Sequence, residues 1–162
     1  MNIKTPPPPA IGSDRVLAYA FIDKSIKFTG SQRLFVDGEQ LGRVPQIAIC
    51  KSLNKDIVDY LILYCDKNWR TLGVAGEKTL ARAVAEAERC YEGIASKFVR
   101  VNNRKSVVRK WIVEQYPKSA CGFCGRMYFE VDSIIEGRSS VICSNCIENF
   151  SKILHSKGKV EG

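Results

Sequence analysis

The sequence predicts an α+β fold, an antiparallel sheet with a helix packed on it, followed by a much smaller unit with a different source of stability. Three observations predict it. From Arg15 to about residue 74, apolar residues alternate or run in short blocks separated by turn formers. The period then turns helical in TLARAVAEAERCYEG. Finally, four of the seven cysteines fall into two C-x-x-C pairs near the end of the 162 residues.

The elements follow in order. Residues 1–13 contain PPPP at 6–9 and read as a solvated Pro-rich tail, since proline cannot donate to a ladder. RVLAYAFID (15–23), QRLFVDG (32–38), VPQIAIC (44–50) and DIVDYLILYC (56–65) read as strands, with FTGSQ, DGEQLG and SLNKD as breaks. Both faces of 57–64 are largely apolar, which suits a central strand covered on each side. Asp66-Lys67-Asn68 is a polar turn between apolar runs and predicts a hairpin into CDKNWRTLGV (65–74). In the helix, Leu80, Val84, Ala87 and Tyr91 share one face, Thr79 is the N-cap and Gly93 the C′ glycine. IASKFVRV (94–101) reads as a further strand, which closes an α+β domain over 14–101. A basic connector helix is predicted within 102–117, with Val107, Val108, Trp111 and Ile112 as its apolar face and Pro117 as its stop.

The last segment, 118–157, carries Cys121-x2-Cys124-x18-Cys143-x2-Cys146. Two such pairs separated by 15–20 residues have the spacing of a structural Zn(Cys)4 site, because each knuckle brings two thiolates to one ion and two knuckles complete a tetrahedron. Gly125 permits the turn after the second cysteine. About 40 residues bury too little apolar surface to fold unaided, and structural zinc contributes roughly 10–16 kcal/mol. With all four positions filled by protein, the one Zn(2+) is structural and leaves no place for a catalytic water. In the helix that follows, Ile147, Phe150 and Leu154 form an apolar stripe.

CGFCGR, EVDSIIEG and SSVICSNCIENF together resemble the C4 zinc-binding domain of the bacterial unfoldase ClpX, without a gap between the knuckles. The resemblance covers about 121–154. It implies a small treble-clef-like finger with Cys121, Cys124, Cys143 and Cys146 as ligands, and a module that dimerises and captures partners. Unfoldase activity does not carry over: GEKT (76–79) has Glu77 where a P-loop needs glycine before its lysine. Ser139 stands near the family's Gly-Pro hairpin tip. Met127, Tyr128 and Phe129 occupy positions usually polar in that family, and are candidate partner-binding residues unless they pack inside the chain. The first domain more weakly resembles small uncharacterised bacterial α+β proteins through AICKSL and LILYCDKNWRTLGV; some of these neighbour toxins as immunity proteins.

Other residues carry less. Cys50, Cys65 and Cys90 lie in apolar contexts and read as core thiols. The single histidine, His155, sits late on the last helix, which argues against a histidine-based hydrolase. Asp56, Asp59 and Asp66 read as turn residues. The formal charge is +8, with 14 Lys and Arg against 11 Asp and Glu in residues 1–98 and 11 against 6 in the rest. Six cations, Lys97, Arg100, Arg104, Lys105, Arg109 and Lys110, crowd a stretch with no acid, and suit either nucleic acid or an acidic protein. Neither a signal peptide nor a membrane-spanning run is present, so a soluble cytoplasmic protein is expected. The function expected is non-enzymatic protein binding, by dimerisation or partner docking. An immunity protein neutralising a bacterial toxin is the alternative, and a nucleic-acid binder using 97–110 the next. No small-molecule substrate is expected.

Overall fold

The computed structural model describes residues 4–32 and 34–157. Residues 1–3 of the predicted tail and Arg33 of the run 32–38 lie outside the described residues. The chain divides into two compact units, residues 1–108 and 109–162.

In the first unit, β1 (Ala10–Ile11), β2 (Asp14–Phe21), β3 (Lys27–Phe28), β4 (Phe35–Val36), β5 (Glu39–Gln40), β6 (Gln46–Ser52), β7 (Tyr60–Cys65) and β8 (Thr71–Glu77) precede α1 (Leu80–Cys90). Then come β9 (Tyr91–Glu92) and β10 (Val99–Arg100). The main sheet is antiparallel in the order β1-β2-β6-β7-β8, and β10 also pairs with β2. The fold is therefore the predicted α+β arrangement.

Alternation along the central strands explains why both faces are covered. Ile47, Ile49, Ile62 and Tyr64 point to one side, where they cluster with Ala83, Ala87 and Cys90 of α1. Ala48, Cys50, Leu63 and Cys65 point to the other, with Val16, Tyr19 and Trp69. β2 keeps both faces supplied through a bulge between Val16 and Ala18, which puts Val16 and Tyr19 on the same side. The buried line of α1 is Ala83, Ala87 and Cys90, rotated from the larger Leu80 and Val84, which are only partly buried. Small side chains let the helix approach the sheet closely. The Thr79 hydroxyl accepts from the Arg82 amide at 3.2 Å and caps it as predicted.

Three predicted strands differ. Among the described residues of the run 32–38, the strand is reduced to Phe35 and Val36, in a hairpin whose Asp37 and Gly38 both have positive φ, the Asp-Gly type I′ signature. The loop around it is held instead by glutamine amides: Gln40 donates to the Gly30 carbonyl at 3.0 Å and buried Gln32 to that of Gly42 at 3.2 Å. The run 56–65 becomes a strand only at Tyr60, because the Lys51 ammonium takes the carbonyls of Val58 and Asp59. In 94–101, the Glu88 carboxylate accepts from the amides of Gly93 and Ala95 at 2.7 and 2.8 Å. That turns the chain through a short 3₁₀ segment before β10.

The hairpin at Asp66 forms as predicted. Asp66 Oδ1 accepts from the amides of Asn68 and Arg70 at 2.8 and 2.9 Å. Trp69 is held there at φ 63°, a left-handed conformation that for a bulky residue costs about 1–3 kcal/mol. In return, its ring is buried in contact with Tyr19 and Phe21, at centroid distances of 5.8 and 5.7 Å.

α2 (Lys105–Gln115) contains the division between the units. In the second unit, β11 (Ile134–Glu136) and β12 (Val141–Cys143) pair antiparallel, and α3 (Ser144–Lys157) follows directly.

Candidate metal centre

The four paired cysteines come from three local structures. Cys121 and Cys124 sit in a turn closed by the Gly125 amide donating to the Cys121 carbonyl at 2.9 Å. Gly125 adopts φ 70° there, as that turn requires. The Cys121 and Gly122 amides donate to the carbonyls of Arg126 and Val141, at 2.8 and 2.9 Å, and so tie the turn to itself and to β12. Cys143 ends β12, and Cys146 lies in the first turn of α3, whose positive dipole end favours a thiolate.

Their sulfurs all lie within 4.8 Å of one another. The Cys121–Cys146 and Cys124–Cys143 pairs stand at 3.8 and 3.6 Å. A tetrahedron with Zn–S bonds of about 2.3 Å has edges of about 3.8 Å, so these spacings fit a zinc ion, whereas a disulfide needs about 2.05 Å. All seven cysteines are free thiols. Cys121, Cys143 and Cys146 are buried and pack with Val131 and Ile142, while Cys124 is exposed.

The electrostatics favour thiolates unevenly. Burial opposes ionisation of Cys121, but the amides of Cys124, Phe123 and Cys143 aimed at its sulfur outweigh it and draw its pKa down to about 6. Burial and the neighbouring sulfurs of Cys124, Cys143 and Cys121 push Cys146 up to about 12. The cation supplies the attraction that this last thiol needs, and binding expels its proton.

This geometry decides the comparison with known proteins. Residues 119–156 match the family of ClpX C4-type zinc fingers. The match covers the smaller unit alone. The finger has four cysteines positioned for one zinc ion, in a structural role. No solved structure matches the chain at a significant level.

The other predicted site residues separate. Met127 is fully buried, so it is packing rather than surface, which corrects its candidacy for partner binding. Tyr128 is half-exposed and lies edge-on to the partly buried Phe129, with centroids 5.0 Å apart. Arg104 and Lys105 are exposed. Lys110 is 3.9 Å from Glu114, one turn along the helix. Arg109 is tied into the finger: its guanidinium grips both oxygens of Glu130, with Nη1 at 2.8 Å from Oε1, and donates to the Gly125 carbonyl at 3.2 Å. Glu130 also accepts from the Met127 amide at 2.8 Å. This Arg109–Glu130 strut was missed in the sequence because its partners are 21 residues apart.

Phe123 was missed too. It stands between the first two ligands, is 63% exposed and meets Phe150 of α3 edge-on at 5.2 Å. An aromatic inside a knuckle, where the short turn has no core to offer, was the available signal. The stripe of Ile147, Phe150 and Leu154 faces solvent, with Leu154 at 70%.

Cys50, Cys65 and Cys90 are buried in the first unit. Burial raises all three thiols, Cys65 to about 12, so they stay neutral. Among the described residues, the four finger cysteines are the one cluster suited to a metal. His155 is exposed at the end of α3, its Nδ1 2.7 Å from the Ser151 carbonyl oxygen. Lys78 of GEKT pairs with Asp59 at 2.8 Å, and Thr79 caps α1, so both have structural roles. Among the described residues, no helix is long and apolar enough to cross a membrane.

Proposed function

We propose that this chain is a non-enzymatic protein-interaction protein whose zinc finger docks a second copy of the chain or another protein. The observation that carries it is the exposed apolar surface formed by Phe123 with Ile147, Phe150 and Leu154. A unit that needed these side chains for its core would bury them; here zinc supplies the stability and the side chains stay outside. The ClpX-type match supports the same reading. Metal chemistry is absent from it because four thiolates saturate the ion.

The test is light scattering after size exclusion at increasing concentration, with zinc bound, for wild type, Phe150→Asp and Leu154→Asp. Self-docking gives a dimer that both variants return to monomer while keeping one zinc per chain. A monomeric wild type directs the search to a different protein, captured by wild type and lost by both variants. Equal capture by all three forms would refute the reading. The immunity role would appear as one tight partner. The nucleic-acid role would rest on the exposed Lys97, Arg100, Arg104 and Lys105, since Arg109 and Lys110 face Glu130 and Glu114.

A further inference from the structure

The proline tract that reads as a solvated tail is seated on the first unit. Two backbone carbonyls hold it. The Trp69 indole Nε1 donates to the Thr5 carbonyl at 2.9 Å, and the Val16 amide donates to the Pro9 carbonyl at 3.1 Å. Between these anchors Pro7, Pro8 and Pro9 are half-buried. The Lys4 ammonium lies over the Phe21 ring, 5.3 Å from its centroid. Beside Lys4 and Thr5, which precede the prolines, Tyr19, Phe21 and Trp69 form a closed set of ring contacts at 5.6, 5.8 and 5.7 Å.

This is the chemistry that recognises polyproline. Proline offers no N–H, so a run of prolines is held through its carbonyls and against flat aromatic surfaces. A tryptophan supplies both an apolar face and one indole donor. Proline also presets φ near −65°, so little chain entropy is lost when the run is bound. Trp69 is presented at its left-handed φ by a turn fixed on the Asp66 carboxylate. The receptor side is therefore built from the sheet and its hairpin.

We propose that Tyr19, Phe21 and Trp69 form a docking surface for proline-rich segments, which residues 5–9 of the same chain occupy in cis and which a proline-rich segment of another protein occupies by displacing them. The surface belongs to the first unit and is independent of the zinc finger's role. A tethered occupant is present at high effective concentration, so the free surface is masked until the tether is weakened or a competitor is abundant.

The experiment uses the full chain and a fluorescein-labelled KTPPPPA peptide, read by anisotropy. Replacing Pro6, Pro7, Pro8 and Pro9 by alanine in the protein weakens the cis occupant and raises the affinity for the free peptide at least about tenfold over wild type. Adding Trp69→Phe to that variant removes the indole donor and reverses most of the gain, with circular dichroism confirming the fold. A KTAAAAA peptide does not bind. If the alanine variant does not fold, Pro7→Ala alone takes its place as the weakened tether, titrated with KTPPPPA and KTAAAAA in the same way. The proposal is overturned if folded variant and wild type bind equally, if the two peptides bind alike, or if the variant with the weakened tether shows no binding at about 1 mM peptide, which is weaker than about −4 kcal/mol of binding.

Discussion

The two units reach a defined structure by opposite means. The first buries Ile47, Ile49, Ile62 and Tyr64 on one face of its sheet and Val16, Leu63 and Trp69 on the other, so solvent-excluded hydrocarbon holds it together. The second leaves Phe123, Ile135, Ile153 and Leu154 more than half exposed and buries three of its four metal ligands. The difference teaches that a metal frees side chains as well as fastening a chain. Once the cation supplies the folding energy, apolar residues are available for the outside.

That contrast can be broken selectively. The largest effect belongs to the ligands: Cys143→Ser removes a site worth roughly 10–16 kcal/mol. The second unit should then lose its dispersed amide resonances and its zinc by metal analysis, while the first keeps its spectrum. A chelator should act on the same unit. Retention of zinc and structure in this variant would end the view that metal holds the finger. Next comes Ile62→Ala, expected to cost about 2–5 kcal/mol in denaturant melts of the first unit through the cavity it leaves. Zinc stoichiometry should not change, and a parallel loss of metal would show that the units are coupled.

Smaller effects sharpen the comparison. Arg109→Ala breaks the bidentate strut to Glu130 and should cost about 1–2 kcal/mol, visible as faster zinc transfer to a chelator with the first unit untouched. The smallest effect is Glu88→Gln. The backbone amides of Ala95 and Gly93 hold the Glu88 carboxyl below the usual carboxylate range. Its contribution, under about 1 kcal/mol for so exposed a group, is therefore present above the ordinary glutamate pKa and lost as pH falls through the lowered one. Wild type should exceed the variant in melting temperature at neutral pH, and the gap should close in acid.

The sequence made legible what depends on neighbours in the chain. Thr79 as a cap, the turn at Asp66 and the spacing of the knuckles each rest on contacts within a few residues. The apolar character of both faces in 57–64 was enough to place a central strand, because β7 pairs on both sides and is buried on both. What was not legible depends on side-chain partners beyond the next turn, from five to 21 residues away. Lys51 delays the start of β7, and Glu88 converts part of a predicted strand into a 3₁₀ turn. Arg109, counted among the cations of a basic run, is committed to Glu130. Met127, Tyr128 and Phe129 looked like one patch in sequence, yet their exposures diverge because local period says nothing of what packs above them.

β8 ends the main sheet, with Leu72 and Val74 uncovered. Such a rim is a template for unwanted assembly in concentrated solution. Its sequence carries its own guard. In a symmetric antiparallel pairing of two copies centred on Val74, Arg70 of each would meet Lys78 of the other, cation against cation. Gly73 and Gly76 further weaken any ladder built there. Resistance to such pairing at high concentration is therefore set at the two ends of one strand, by Arg70 and by the same Lys78 that also pairs with Asp59.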